Sequence, residues 1–169
     1  MLSFITRRFL AAPLAAMALL AMPACNAQGS SNAAPAETPS APQRHPVSGL
    51  EVIPVTVTAD GQEHVFMAEV ARTPEQQAQG MMYREEMGPM EAMIFPRPQP
   101  RIASFWMKNT PLPLDLIFIG ADGKVINVGY GEPYSEGRIL SDAPAAAVLE
   151  VNAGVAEQLG IGPGASVRW

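Results

Sequence analysis

The sequence predicts a mainly β protein, a single β-sandwich or partly open barrel with two short peripheral helices. Three observations carry that prediction. Short strand-like segments recur between Leu50 and Trp169, rich in Val, Ile, Leu and Phe. Turn pairs such as Asp60-Gly61 and Asp122-Gly123 separate them. Only two stretches carry helix-start signals, and both are brief, as expected of a sandwich or open barrel.

The first hairpin is read from Glu51–Thr58, the Asp60-Gly61 turn and the returning strand Glu63–Arg72. Thr73-Pro74-Glu75-Gln76 then predicts a helix, with Thr73 as N-cap, Pro74 in the first helical position and Gln76 completing a capping box. Gly80 ends it. Strands follow at Ala92–Phe95, where Pro96 is expected to cut the strand short, at Arg101–Met107 and at Leu114–Ile119. Asp122-Gly123 turns the last of these into Lys124–Tyr130. Gly129–Pro144, rich in Gly, Pro and Ser, reads as a long loop of the kind that often carries function. Val148–Val151 is a further strand, and Asn152 is expected to cap a second short helix through Leu159. Gly162-Pro163-Gly164 leads into the terminal strand Ser166–Trp169.

Residues 1–24 read as an export signal. Arg7 and Arg8 form its positive region, and Phe9–Met22 is an apolar, alanine-rich stretch too short for a stable membrane span. Thr6-Arg7-Arg8-Phe9-Leu10 has part of a twin-arginine pattern, but Phe9-Leu10 is out of register, so an ordinary Sec signal is preferred. Cys25, the only cysteine, stands where bacterial lipoprotein signals place the acylated residue, with the small Ala24 before it. Met22 and Pro23 fit that pattern less well, and cleavage near Ala24 or after Ala27 would release a free periplasmic protein. Acylation is preferred because a lone thiol in an oxidising compartment has no internal partner. Two or three acyl chains, at ~0.8 kcal/mol per buried CH₂, would hold the chain to a membrane.

Residues 25–49 are mostly Ala, Pro, Ser, Asn and Gln and bury too little to offset their ordering entropy. They are expected to be a disordered tether, with His45 a solvated side chain. Residues 50–169 then form one β-rich domain large enough for its own core. The expected location is exported and periplasmic, anchored to the membrane by lipid. Loss of Arg7 and Arg8 leaves nine basic residues of eleven against sixteen acidic ones, a net charge of −7. That balance argues against nucleic acid or an anionic lipid surface as a partner. The expected partners are the membrane, through the anchor, and an unidentified small ligand or envelope protein.

The densest chemistry lies in Phe105-Trp106-Met107-Lys108-Asn109-Thr110-Pro111-Leu112-Pro113-Leu114-Asp115. A carboxylate entering an apolar strand needs a partner to tolerate desolvation. Trp106, Lys108, Asn109 and Asp115 are therefore the candidate binding residues, at the rim of an apolar pocket closed by the Gly129–Pro144 loop. The competing and preferred reading makes Asp115 a buried brace, accepting hydrogen bonds from backbone or Lys108 and pinning the two-proline loop. Arg84 and Glu150 read as structural partners of one another.

Catalysis has thin support. His64 is the one histidine of the domain, Ser104, Ser135 and Ser141 offer no G-x-S-x-G elbow, and no residues have zinc-chelating spacing. Asp115 with Glu132 or Glu136 would supply an acid–base pair for a hydrolase acting on a polar envelope substrate. Met87, Met90 and Met93 have a spacing that suits Cu(I), but core filling is the preferred reading. No catalytic residue and no cofactor is expected.

Taken together, Thr73-Pro74-Glu75, Gly80-Met81-Met82-Tyr83-Arg84, Met93-Ile94-Phe95, Phe105–Asp115, Val148-Leu149-Glu150, Gly154 and Leu159-Gly160-Ile161 resemble the domain-of-unknown-function 192 family. Its members are small exported or membrane-anchored bacterial and archaeal proteins. Met81 stands where that family usually has Leu, and Glu91-Ala92 where it usually has Gly. The resemblance implies a curved sandwich with short helices at its margin and carries over no catalytic residue. The expected function is a non-enzymatic, envelope-anchored binding or accessory module with one apolar-aromatic site, the hydrolase being the alternative.

Overall fold

The computed structural model of the protein describes residues 43–169. The export signal, Cys25 and residues 26–42 of the expected tether lie outside the described residues. Asp60 and Gly61, at φ of 49° and 77°, make the two-residue turn between β1 (Val52–Ala59) and β2 (Gln62–Val70). The two strands pair without interruption from Val52↔Glu69 to Ala59↔Gln62. At α1 (Pro74–Gln79) the capping box forms as expected: the Gln76 N–H donates to Thr73 Oγ1, and Gln76 Oε1 accepts from the Thr73 N–H. The chain thereby crosses over, and β3 (Glu91–Arg101) lies parallel to β2.

β4 (Ser104–Phe105), β5 (Leu114–Ile119), β6 (Val125–Gly131), β7 (Ile139–Leu140), β8 (Ala145–Asn152), α2 (Val155–Gln158) and β9 (Ser166–Arg168) complete the chain. Seven strands form one mixed sheet in the order β6-β5-β8-β3-β2-β1-β9, and β4 pairs with β7 as a small separate ribbon. The main sheet curls until Lys124 bridges Ser166, yet it does not close into a barrel. The fold is mainly β, a curved sandwich-like arrangement with two short helices.

Alternation along the central strands divides the core in two. Ile94, Ile117, Ile119, Ala147, Leu149 and Val151 face the cluster inside the curl. Met93, Phe95, Leu114, Leu116, Phe118 and Val148 face the other way, onto Met81, Ala103 and Met107. A sheet buried on both faces explains why β5 reads as an unbroken apolar run apart from Asp115.

Four expectations are corrected. Pro96 does not end β3. Beyond Ile94 the strand no longer pairs with β2, so Pro96, Pro98 and Pro100 lack no ladder partner on that side. The pairing with β8 is absorbed by a register shift between Pro96 and Arg101. The strand expected over Arg101–Met107 shrinks to two residues. Asn152 ends β8 instead of capping α2, and its amide donates to the carbonyls of Met87 and Gly88. Finally, residues 43–49 are ordered: Arg44 bridges Glu51, the Gly49 N–H donates to the His45 carbonyl, and Ser48 Oγ donates to buried Glu69. His45 is accordingly no free solvated side chain, lying 3.6 Å from Glu69.

Candidate functional site

The Phe105–Pro113 loop lies across the Leu114–Leu116–Phe118 face of the sheet, gripped from both sides. The Tyr83 N–H donates to the Asn109 carbonyl at 2.7 Å, the Met107 N–H to Ser135 at 2.8 Å, and the Tyr134 N–H to Thr110 at 3.0 Å. Tyr83, Asn109 and Tyr134 all adopt positive φ, between 56° and 63°. Three non-glycine residues held left-handed at one junction mark backbone that the surroundings must over-determine. Gly131 allows the loop to lie flat: a Cβ there would come 2.6 Å from Met107 Sδ.

Beneath the loop is a narrow cavity of about 40 Å³, lined by Phe95, Phe105, Trp106, Met107, Thr110 and Glu150 on one side and by Gln77–Met82 on the other. Such a volume holds a water or a hydroxymethyl-sized group. The second wall is therefore the end of α1 and the turn after it, not the Gly129–Pro144 loop. Gln77 fixes that wall by donating to the Ala71 and Pro96 carbonyls. Phe105 packs edge-on against Phe95 and Phe118, with centroids 5.2 and 6.3 Å apart.

Glu150 is the anomaly of this cavity. It sits mid-strand on β8, between Met93 and Leu116 of the neighbouring strands, and its Oε2 has no hydrogen-bond partner. Burial pushes its carboxyl up to about 8 from the ordinary 4.5, so it is largely protonated at neutral pH. Arg84 does not neutralise it. Arg84 forms a bidentate pair with Glu69, at 2.9 and 3.0 Å. The expected Arg84–Glu150 partnership is corrected.

The four candidate binding residues separate. Trp106 lines the cavity while leaving 37% of its surface exposed. Lys108 Nζ and Arg138 Cζ lie 5.1 and 5.2 Å from the Trp106 ring centroid, a geometry suited to cation–π attraction. Asn109 is a clasp: its Nδ2 donates to the Tyr83 hydroxyl at 2.8 Å. Asp115 belongs elsewhere, because its neighbours Leu114 and Leu116 take the cavity face and its own side chain takes the opposite one. There its Oδ2 accepts from the Ala156 N–H at 3.0 Å, holding the start of α2. A brace it is, through backbone and not through Lys108.

The carboxylates of the hydrolase reading do not line one groove. Asp115 lies in a groove with Tyr130, Gly154 and Glu157, which neither Glu132 nor Glu136 lines. Ser141 is tied down as an acceptor for the Ala103 N–H. Met93 is buried in β3, Met87 packs half-buried against the same cluster, and Met90 is exposed. Among the described residues no group of three or more His, Cys, Asp or Glu is placed to hold a metal ion.

Comparison with known proteins fits the loop and the strands that carry it. Residues 55–169 match the family described as "Uncharacterized ACR", the domain-of-unknown-function 192 family. The chain belongs to that family. A crystal structure from Novosphingobium aromaticivorans, of a protein of unknown function, is 50% identical with a TM-score of 0.74, over 78% of this chain and 94% of that one. Another, from Sinorhizobium meliloti and described as a candidate transcription regulator, is 39% identical with a TM-score of 0.68, over 70% and 94%. No curated protein matches the chain. Among the residues on which the resemblance rests, Phe105, Trp106, Met107, Thr110, Leu114 and Glu150 line the cavity, whereas Asp115 serves the other face. Glu150 was legible as a candidate from the same signal as Asp115, a carboxylate inside an apolar strand. Arg138 carried no such signal.

Proposed function

We propose that this member of the domain-of-unknown-function 192 family is a binding module whose site is the Glu150 cavity. Trp106 serves as a platform at its mouth. The observation that carries this reading is the unpartnered Oε2 of Glu150. Leaving a buried polar atom unsatisfied costs about 1–3 kcal/mol, which a leucine of similar volume would avoid. A protonated carboxyl at the floor of a small cavity offers one O–H donor and an acceptor to a hydroxyl-bearing ligand tip. The aromatic and thioether walls give it apolar contact, as in other small-molecule sites.

Export and lipid anchoring through Cys25 remain part of the proposal and rest on the sequence of residues 1–25. They would place the module on an envelope surface. The regulator description of the Sinorhizobium meliloti protein does not suit this chain, whose net charge is −5 and whose longest described helix has six residues. A titration with glycerol, read by the indole N–H resonance of Trp106, tests the site. Saturable shifts in the wild type that vanish in Glu150→Leu are expected. Equal shifts in both proteins, or none in either, would contradict the reading.

A further inference from the structure

Of the nine basic residues among the described residues, three form an ion pair with a carboxylate and six do not. Arg72, Arg84 and Arg168 each pair with a glutamate, namely Glu51, Glu69 and Glu63, at 2.8–2.9 Å. Lys108, Arg138 and Arg97 have no carboxylate within ion-pair distance among the described residues. Instead they lie over aromatic rings of adjacent residues, Lys108 and Arg138 at Trp106 and Arg97 at 5.8 Å from Phe105. Three of the six cations without a carboxylate partner thus gather at one dipeptide. Glu132 and Glu136 lie on the loop that carries Arg138, yet neither forms an ion pair with these cations.

The ladder explains how the two outer cations converge. β4 pairs with β7 through Ser104↔Leu140 and Phe105↔Ile139, so the next step sets Trp106 beside Arg138. Lys108 reaches the same ring from two residues along the loop. An aromatic face holds a cation without consuming its N–H donors, so both groups keep hydrogen-bonding capacity for a ligand. Arg97 adds a buried Nε with no partner beside the neighbouring ring.

We propose that Lys108 and Arg138, held over Trp106, form an oxyanion-recognising mouth to the Glu150 cavity, so that the ligand is a small hydroxylated phosphate or carboxylate. The inference rests on the cavity being the binding site and names the class of ligand it takes. Guanidinium and ammonium suit either oxyanion by charge-assisted hydrogen bonding. The 40 Å³ floor admits a hydroxymethyl tip and no ring. The overall negative charge disfavours an extended anionic surface and leaves a small anion as the occupant.

Calorimetric titration of the full chain with glycerol 3-phosphate, glycerate and glycerol tests it, alongside Lys108→Met/Arg138→Met and Glu150→Leu. At least one anion should bind about tenfold or more tightly than glycerol, an advantage of ~1.4 kcal/mol or more. The double variant should abolish that advantage while glycerol binding persists, and added salt should weaken only the anions. Glycerol binding as tightly as both anions would overturn the oxyanion mouth and leave the cavity reading standing. Anion binding that needs Lys108 and Arg138 but ignores Glu150→Leu would support the mouth and overturn the cavity. Absence of all binding would overturn both.

Discussion

Asp115 on β5 and Glu150 on β8 each interrupt an apolar strand, and their different partners separate brace from site. Asp115 accepts from the Ala156 N–H and is satisfied. Its replacement by Ala should cost about 1–3 kcal/mol in urea denaturation, because the α2 donor is left unpaired. Asp115→Asn keeps an acceptor and should cost less than half as much; equal costs would show that the charge, not the bond, matters. Trp106→Ala should cost less than the ~3–5 kcal/mol typical of a buried aromatic, since over a third of the side chain is exposed. A larger loss would make Trp106 a core residue and remove the platform. At this scale the sequence put Trp106 and Lys108 in one candidate site, and the structure sets Lys108 over the Trp106 ring. The sequence could not separate Asp115 from them, since a strand's period of two sends residues 114 and 115 to opposite faces only once the loop's exit is fixed.

The capping box of α1, the Asp60-Gly61 hairpin and β5 were legible because each depends on residues adjacent in the chain. The length of β3 was not, because Pro96 is tolerated only where β2 has already left its side, a fact of sheet order. Nor was the ordering of residues 43–49, whose composition suggests a tether. Ser48 and His45 are held by Glu69, twenty or more residues away and itself fixed by Arg84. A chain beginning at residue 43 should therefore melt with the full chain, whereas one beginning at residue 50 should melt several degrees lower. Loss of even ~1 kcal/mol shifts a domain of this size by roughly 3–5 °C. Indistinguishable melting of the two truncations would show that residues 43–49 contribute nothing.

At the scale of the whole molecule, one curved sheet separates a largely aliphatic interior from an outer face on which the Phe105–Thr110 loop and the turn after α1 wall the cavity. The proposed envelope location rests on Cys25, and Cys25→Ser should move the protein from the membrane fraction to the soluble periplasm. Unchanged fractionation would remove the anchor. The central claim, that Glu150 is kept for a ligand at the expense of the fold, has a direct test in its linkage to pH. Its carboxyl sits at about 8 in the folded chain against an ordinary 4.5. The fold thus holds a proton that the unfolded chain releases between those values. Any stability tied to that proton is complete below the lower value and is lost as pH rises through the upper one. Denaturant unfolding of wild type and Glu150→Leu at about pH 5 and about pH 9 measures this directly. The variant should be the more stable protein, by ~1–3 kcal/mol or more at the higher pH, with a smaller margin at the lower. A variant less stable than wild type at both pH values would make Glu150 a structural residue and contradict the account.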